Sequence, residues 1–375
     1  MPCHVALQWT AEPPRRRFHT GVSLHSHTLH SKESLDFIYY KTRGIPPLAA
    51  VVRRGERRYE EINHAPLNLA KGWWTPPLAP HDAFKVERDQ VQGLGLDAVV
   101  SITDHDNIEA PVSLQVLEEC RNVPISTEWT VPFGPTFFHL GIHNLAPAEA
   151  RMFYDEMEAC RNNPDPDHIA DVLAELAARP RTLIVFNHPY WDEPGLGREL
   201  HTEYMRAFLR TYGQYFHAME LNGLRPWSEN RNVLALAASA GKPLISGGDR
   251  HTLEPAASVN LTNASTFSEF AEEVRAGWSD VILLNHYRKA HGLRLLHGVM
   301  DALRTYDRHP LGWKQWSDRV FYPCEDGRVR SLTDLFGQGT PLPVSVFLNA
   351  VRFASAPQVQ WILNGAFSAG EEVIL

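Results

Sequence analysis

The first residues of this chain with an evident chemical use are two histidines one position apart, His25 and His27, which follow the apolar residues 22–24. On an extended strand, residues i and i+2 lie on one face, so both imidazoles can point the same way. Neutral imidazole is a common ligand of divalent transition metals. The pair therefore suggests a metal site at a strand end, although pairs of this kind often occur by chance.

Further metal-binding side chains follow later apolar runs. A fourth run places His139, Gly141 and His143 on one face, because side chains alternate along a strand. The complete candidate ligand set is His25, His27, His105, Glu128, His139, His188, Asp249 and His251. Six imidazoles and two carboxylates exceed what one ion needs, and the mixed donors predict two or three divalent ions (Mn, Fe or Zn).

These side chains need a scaffold that brings strand ends together. Strands are predicted over 21–25, 97–102, 123–127, 137–144, 182–186, 217–221 and 243–246, with helical patterns in between. Strands and helices in this order indicate a parallel sheet covered on both faces. In α/β barrels the chemistry lies at the carboxyl ends of the strands, so we expect the ligands to meet at one mouth. Glu220 and Asn222, at the end of the sixth strand, face the same mouth.

The domain organisation follows from where the alternation of strands and helices begins and stops. We predict an irregular lead-in at 1–20, a barrel over 21–285, an insertion at 36–90 and a C-terminal extension at 286–375. The insertion is expected to have limited secondary structure and to act either as a substrate lid or as a surface excursion whose Trp73 and Trp74 pack on the barrel. The extension caps the barrel or forms a subunit interface, and the sequence leaves the oligomeric state open.

Composition narrows the function classes. The chain has 375 residues, of which 43% are hydrophobic and 21% charged, with a net charge of −8, as in globular proteins outside membranes. The acidic balance disfavours nucleic acid as a partner, although the short basic run at 53–58 leaves a local patch possible. Four scattered cysteines indicate a reducing compartment. The absence of an apolar N-terminal segment or long apolar run predicts a cytoplasmic protein with no membrane span.

The ligand motifs, taken in order, resemble those of the PHP family (polymerase and histidinol phosphatase domains) over roughly residues 20–255, apart from the insertion. The motifs that carry the resemblance are His25-Ser26-His27-Thr28, Gly95-Leu96-Asp97-Ala98 running into Thr103-Asp104-His105-Asp106, Glu128, His139-Leu140-Gly141, His188-Pro189 and Gly248-Asp249-Arg250-His251. The resemblance implies a distorted seven-stranded (β/α) barrel that binds two or three ions and hydrolyses phosphoesters with a metal-bound hydroxide.

The same resemblance implies how the ligands are divided. His25, His27, Glu128 and Asp249 would form one part of the cluster. His105, His139, His188 and His251 would serve the other ions. Glu128 is the candidate to bridge two ions.

One position departs from the family. Where the family has a ligand aspartate after the first motif, this chain has Lys32, and an ammonium cannot bind a cation. Glu33 or His30 could replace the missing ligand, or one ion could be absent. Lys32 could instead contact a substrate phosphate as a point charge.

Three residues are candidates for roles in catalysis besides binding metal. Arg250 and Lys32 would supply positive charge to a phosphate. Asp104 would orient an imidazole or donate a proton, and the alternative is that it caps a loop.

Three functions fit this pattern. The first is a metal-dependent phosphoesterase acting on a small phosphomonoester or a nucleotide-like phosphodiester. The second is amidohydrolase-like cleavage of a C–N or carboxylic ester bond, because the same chemistry attacks a carbonyl carbon. The third is a non-catalytic, metal-binding regulatory module, which Lys32 motivates.

Overall fold

The computed structural model describes residues 4–35, 46–324 and 326–336, with single positions at 349, 353 and 359. The start of the insertion and most of the extension beyond residue 336 therefore lie outside the described residues. The strands, in chain order, are β1 (His4–Leu7), β2 (Thr20–Ser23), β3 (Glu33–Ser34), β4 (Trp73–Trp74), β5 (Asp97–Val100), β6 (Ile125–Phe133), β7 (Thr136–Leu145), β8 (Leu183–Phe186), β9 (Ala218–Asn222), β10 (Leu244–Gly247), β11 (Ser258–Thr262), β12 (Asp280–Leu283), β13 (Val320–Pro323) and β14 (Val329–Ser331).

The α-helices follow most of these strands. They are α1 (Pro46–Asn63), α2 (Pro80–Gln92), α3 (Glu109–Leu114), α4 (Ala150–Asn162), α5 (Pro166–Ala178), α6 (Arg198–Tyr212), α7 (Trp227–Ala240), α8 (Phe267–Arg275), α9 (His291–Ala302) and α10 (Leu332–Phe336). Within the described ranges, every helix is too short or too polar to cross a membrane.

The strands form three sheets. The first has the order β1-β12-β11-β2-β5, the second β10-β9-β8-β7-β6 and the third β14-β13-β4-β3. In the second sheet β8, β9 and β10 are parallel, whereas β7 runs antiparallel to both β6 and β8. In the first sheet β11 is antiparallel to both neighbours. The chain is thus a mixed α/β protein.

None of these sheets closes on itself among the described strands, so a closed seven-stranded barrel is not shown. The two five-stranded sheets meet instead through isolated bridges, Ser26 to Arg250 and His105 to Glu128. The expectation of an all-parallel sheet was also wrong. β6 and β7 follow each other through a turn at Gly134, with φ of 61°, and so short a connection forces an antiparallel hairpin.

The largest hydrophobic core lies on the second sheet. Trp129 of β6 and Phe138 of β7 are buried there, against Phe153 of α4, Leu173 of α5 and Phe208 of α6. Alternate residues of the hairpin fill this core, as expected for strands with one face packed on helices. The opposite face of the hairpin is free to carry Glu128 and His139.

The lead-in and the insertion contain more regular structure than expected. β1 lies within the predicted irregular lead-in and pairs in parallel with β12. The insertion contains the 18-residue α1, which begins at two prolines and continues through Arg, Glu and Ala, all good helix formers. It also contributes β4 to the third sheet, where β13 of the extension pairs with it.

Candidate metal centre

Backbone hydrogen bonds align the segments that carry the predicted ligands. The His27 N–H donates to the Arg250 carbonyl at 2.7 Å, which sets the first motif beside the last. The Asp106 N–H donates to the Glu128 carbonyl at 2.8 Å, which sets the second motif beside β6. Glu128 lies in the middle of β6 rather than at a strand end, because that strand continues to Phe133.

Three of the predicted ligands lie in the left-handed region of backbone conformation. The φ angles are 65° for His25, 24° for His188 and 50° for Asp249. Such conformations cost about 1–3 kcal/mol for non-glycine residues and concentrate at functional sites. Each of the three residues lies two positions after the last residue of a strand, so the strained backbone turns the chain sharply at the site.

One carboxylate oxygen of Glu128 faces three imidazoles. Oε2 lies 2.9 Å from His25 Nε2, 3.4 Å from His27 Nε2 and 3.4 Å from His105 Nδ1. All four side chains are mostly or wholly enclosed, and Glu128 has no exposed surface. This geometry centres the group on Glu128.

The other oxygen of Glu128 faces the opposite side of the cluster. Oε1 lies 3.1 Å from His188 Nε2 and 3.7 Å from His139 Nδ1. The Asn187 side-chain amide donates to the same oxygen at 2.9 Å. The carboxylate thus faces two different sets of ligands, which is the arrangement that a bridging ligand needs.

A second group forms around Glu33, which was considered above as a substitute for the missing aspartate. Glu33 Oε2 lies 3.3 Å from His105 Nε2 and 3.3 Å from His251 Nε2, and Oε1 lies 3.8 Å from His27 Nδ1. One ligand atom from each of these four residues lies within 4.8 Å of the others. His27 and His105 thus belong both to this group and to the group around Glu128. His27 therefore shares a group with His105 and His251, from which the division implied by the resemblance separates it.

Asp249 lies between the two groups. Its Oδ1 is 3.5 Å from His27 Nε2, 3.6 Å from His25 Nε2 and 3.5 Å from His251 Nδ1. Its Oδ2 accepts a hydrogen bond from the Asn222 amide at 3.2 Å. The carboxylate is therefore held in a fixed orientation with one oxygen toward the imidazoles.

Glu220 fixes His25 from behind. Its Oε1 is 2.6 Å from His25 Nδ1, and its Oε2 accepts from the His188 backbone N–H at 2.9 Å. A carboxylate on the second ring nitrogen of a metal-binding histidine sets the tautomer and the ring orientation. Gly247 permits this contact, because a Cβ there would meet the Glu220 carboxylate and would lie 2.8 Å from His25 Cβ.

The donor set fits divalent metal ions. Two ligands at about 2.1 Å from one tetrahedral ion lie about 3.4 Å apart, and many of the nitrogen–oxygen distances here are 3.3–3.7 Å, too long for good hydrogen bonds. His27 Nε2 is buried and has no hydrogen-bond partner among the described residues. The residues present thus fit cations of the Mn, Fe or Zn type.

The pKa values of the histidines in the cluster depend on the carboxylates and imidazoles around them. Burial lowers the pKa of His25, but the carboxylates of Glu128, Glu220 and Asp249 outweigh burial and hold that pKa well above its usual value. Burial and the neighbouring His251 lower the pKa of His27 to about 4. The imidazoles thus compete with any cation for the same carboxylates.

The carboxylates of the cluster are held in the ionised form. Burial alone would raise the pKa of Glu33, but His105 and His251 bring it well below the usual range. His25 and His105 do the same for Glu128. Ionised carboxylates are the form that binds cations.

Asp104 is placed as a loop anchor. Both of its carboxylate oxygens accept hydrogen bonds from Thr28, from the backbone N–H at 2.5 Å and from the hydroxyl at 2.7 Å. Burial raises the pKa of Asp104 to about 7 despite these bonds. It holds the loop that follows His27, as in the capping alternative considered above, and among the described residues its carboxylate makes no hydrogen bond to an imidazole.

The two predicted phosphate contacts are placed differently from expectation. All three guanidinium nitrogens of Arg250 donate within the protein, to Glu87 at 2.5 Å, to Gln90, and to the Leu253 carbonyl at 3.4 Å. Arg250 is thus turned toward α2 because a buried carboxylate lies there. Lys32 is exposed, with its ammonium 5.0 Å from the centre of the Trp73 ring.

Arg225 is the cation that the sequence analysis missed. Its guanidinium lies 3.7 Å above the Trp191 ring, and one terminal nitrogen donates to Asp249 Oδ2 at 3.4 Å. Its Nε is buried without a hydrogen-bond partner among the described residues. The signal was present, because Arg225 follows β9 by three residues, at the same carboxyl edge as Asn222.

No family model matches the chain, and comparison with curated proteins gave no match. Several solved structures are similar at a low level, and three of them are described here. They are PsfC from Pseudomonas syringae PB-5123 (15% identity, TM-score 0.38, 58% of this chain and 88% of that one), an amidohydrolase from Chromobacterium violaceum with bound sulfate (16%, 0.32, 48% and 84%) and an inferred metal-dependent phosphoesterase from Bifidobacterium adolescentis (14%, 0.36, 70% and 98%). With TM-scores below 0.5, these similarities carry no argument about this chain.

Proposed function

We propose that this chain is a metal-dependent hydrolase that cleaves phosphoester bonds in a small phosphomonoester or a nucleotide-like phosphodiester. The observation that carries the proposal is Glu128, whose two oxygens face separate sets of imidazoles within 2.9–3.7 Å. Two or three divalent ions of the Mn, Fe or Zn type are proposed to bind through His25, His27, Glu33, His105, Glu128, His139, His188, Asp249 and His251.

The roles of the chain's own residues follow from their contacts. Bound divalent ions supply Lewis acidity and make water a stronger acid. Glu220 holds His25 in one tautomer, and Asn222 holds Asp249 so that one oxygen faces the imidazoles. Asp104 fixes the loop after His27. These bonds preorganise the ligands before any substrate binds.

Arg225 favours an anionic substrate over a neutral one. It stands beside Asp249, and its buried Nε lacks a hydrogen-bond partner within the described part of the chain. A guanidinium beside a divalent centre stabilises the charge on a transferring phosphoryl group. This is the reason to place phosphoesters ahead of amides and carboxylic esters, which remain the alternative.

Lys32 was the reason for considering a non-catalytic protein, and the position of Glu33 weakens that reason. Lys32 removes a carboxylate from the motif, but Glu33, the next residue, places one between His105 and His251. Glu33 therefore supplies the cluster with the carboxylate that is missing at position 32.

The test is hydrolysis by protein purified without chelator, on p-nitrophenyl phosphate, bis-p-nitrophenyl phosphate, p-nitrophenyl acetate and an anilide. We expect release of p-nitrophenol from at least one of the phosphoesters, loss of activity with a chelator, and recovery with Mn²⁺ or Zn²⁺. Activity on the acetate or anilide alone would select the amidohydrolase-like alternative. Retained metal with no hydrolysis of any substrate would select the non-catalytic one.

A further inference from the structure

A cavity of about 370 Å³ lies beside the candidate metal centre. It is bounded by the segment that follows β8 and by the first turns of α6 and α7. Its size falls in the range of small-molecule binding sites. None of the predicted metal ligands lines it, so the metal centre does not account for it.

Trp191 and Arg225 separate this cavity from the metal centre. Trp191 lines the cavity and also a narrow space bordered by His139 and His188. The Arg225 guanidinium lies on the Trp191 ring and reaches Asp249 on its other side. A molecule in the cavity would thus be one side chain away from the ligands.

The cavity wall presents aromatic surface together with hydrogen-bonding groups of both kinds. Tyr190 and Trp191 supply the aromatic surface. α6 and α7 begin at the cavity, and neither N-cap residue provides a side-chain cap. First-turn N–H groups other than that of Glu229, which donates to the Pro226 carbonyl, can therefore act as donors. The Asp192 oxygens accept from the backbone N–H groups of Leu196 and Gly197, at 2.9 and 2.7 Å, and their remaining lone pairs can accept from a ligand.

His201 is a second, independent sign of a ligand. It lines the cavity, is 2% exposed, and contacts the Pro189 carbonyl through Nε2 at 3.1 Å. With Nε2 as the donor, Nδ1 is an acceptor. Nδ1 has no hydrogen-bond partner among the described residues, since the nearest carboxylate oxygen, on Asp192, is 3.9 Å away. Burial lowers the pKa of His201, which favours the neutral ring.

The charges of the wall decide between ligand classes. Asp192 and Glu229 disfavour an anion, whereas Arg198 and the two helix N-termini disfavour a cation. A hydroxyl group both donates and accepts, so it can use the helix N–H groups as well as His201 and Asp192. An aromatic wall suits the apolar face of a ring.

We propose that this cavity binds a neutral polyhydroxylated ring of pentose or hexose size. In an ester substrate, that ring would be the alcohol portion attached to the phosphate, an assignment that rests on the proposed function. Binding of the free ring does not rest on it.

The test is saturation-transfer NMR with D-ribose and D-glucose on chelator-treated protein, with cyclohexanol as the weakly hydroxylated comparison. We expect transfer to at least one sugar, stronger than to cyclohexanol. Ser228→Trp, at an exposed position that lines the cavity, should reduce that signal at least fivefold. Arg231→Trp, exposed on the same helix but outside the cavity, should leave it unchanged.

A third variant isolates the unpartnered nitrogen. His201→Gln keeps an amide donor for the Pro189 carbonyl but moves the acceptor, now Oε1, away from the position of Nδ1. It should therefore weaken the sugar signal at least twofold while the circular dichroism spectrum is retained. Absence of transfer to both sugars in the wild type, or a wild-type signal in Ser228→Trp, would overturn the proposal. Because no turnover is measured, a failure of the hydrolysis assays leaves this result intact.

Discussion

Glu33 and Lys32 are neighbours in the chain but differ completely in their surroundings. Glu33 opens β3, and its pairing with Trp74 turns the carboxylate toward His105 and His251. Lys32 points away and rests on Trp73. One peptide unit thus separates a candidate ligand from a solvent-facing cation, as the alternation of side chains along extended backbone requires.

These two residues give a matched pair for metal binding. Glu33→Gln should lower metal content by about one equivalent per chain, because an amide oxygen binds a divalent ion far more weakly than a carboxylate. Lys32→Ala should leave the content unchanged. The measurement is inductively coupled plasma mass spectrometry on both variants purified in parallel. Equal metal loss in the two variants would contradict the placement of Glu33.

Arg225 is expected to act on substrate charge rather than on metal binding. Arg225→Gln should reduce kcat/KM for a phosphoester about 10²–10³-fold, the cost of removing one preorganised donor, with metal content unchanged. Arg231→Gln, exposed on α7, is the control and should retain wild-type kinetics. A carboxylic ester, if cleaved at all, should respond less to Arg225→Gln, and an equal loss on both substrates would argue against anion recognition.

A histidine behind the centre gives a pH prediction. Burial lowers the pKa of His143 from 6.5 to about 3, and its Nδ1 is 2.9 Å from the Ser101 hydroxyl. Between those pH values the unfolded chain binds a proton that the folded chain does not. The stabilisation is therefore complete above pH 6.5 and is lost as the pH falls toward 3.

In protein treated with a chelator, the free energy of unfolding should decrease as the pH is lowered. This decrease should be steeper in the wild type than in His143→Gln, by about 1.4 kcal/mol per pH unit. Urea unfolding at pH 6.0, 5.5 and 5.0 measures both slopes, and the other titrating groups are common to the two proteins. Parallel slopes would show that His143 does not titrate in this way.

At the scale of single elements, α2 is tied to the site by a buried ion pair. Arg250 and Glu87 are 4% and 1% exposed, and Glu87 also accepts from the Ser23 hydroxyl at 2.7 Å. The pair holds the segment between Asp249 and His251 against the helix. The sequence placed Arg250 between two ligands but gave no sign of its partner, because Glu87 is more than 160 residues away in the chain.

Removing one member of that pair should be costly. Arg250→Met leaves a buried carboxylate without its cation and should lower the free energy of unfolding by about 3–5 kcal/mol. The double variant Arg250→Met, Glu87→Gln should recover much of this loss, because the amide is neutral and still accepts from Ser23. Urea denaturation of both variants decides the matter, and a double variant no more stable than the single one would exclude an ion-pair effect.

The strand ends were predictable from sequence, whereas the strand directions were not. Apolar runs ending in His or Asp mark β2, β8 and β10, because buried strands and their polar ends differ sharply in composition. The β6–β7 hairpin was not predicted, because Glu128 and His139 interrupt its apolar pattern with polar side chains that face the site. The pattern of alternating polar and apolar residues around these two positions is what a two-sided hairpin produces.

At the scale of the whole molecule, the third sheet joins distant parts of the chain at the metal centre. β3 and β4 pair with each other, and β13 of the extension pairs with β4. Trp74 of β4 packs near His251, with ring centres 6.0 Å apart. The extension thus contributes to the surroundings of the site, which the sequence could not reveal because such pairings depend on long-range register. The domain boundaries drawn from sequence stay a prediction.

The central claim is that these imidazoles and carboxylates bind divalent ions together. The most direct measurement is the metal content of the full chain purified without chelator, compared with Glu128→Gln. We predict two to three equivalents of Mn, Fe or Zn per chain, and a loss of at least one equivalent in the variant. Less than about 0.2 equivalents in the wild type after incubation with Mn²⁺ or Zn²⁺, or equal content in both proteins, would contradict the account.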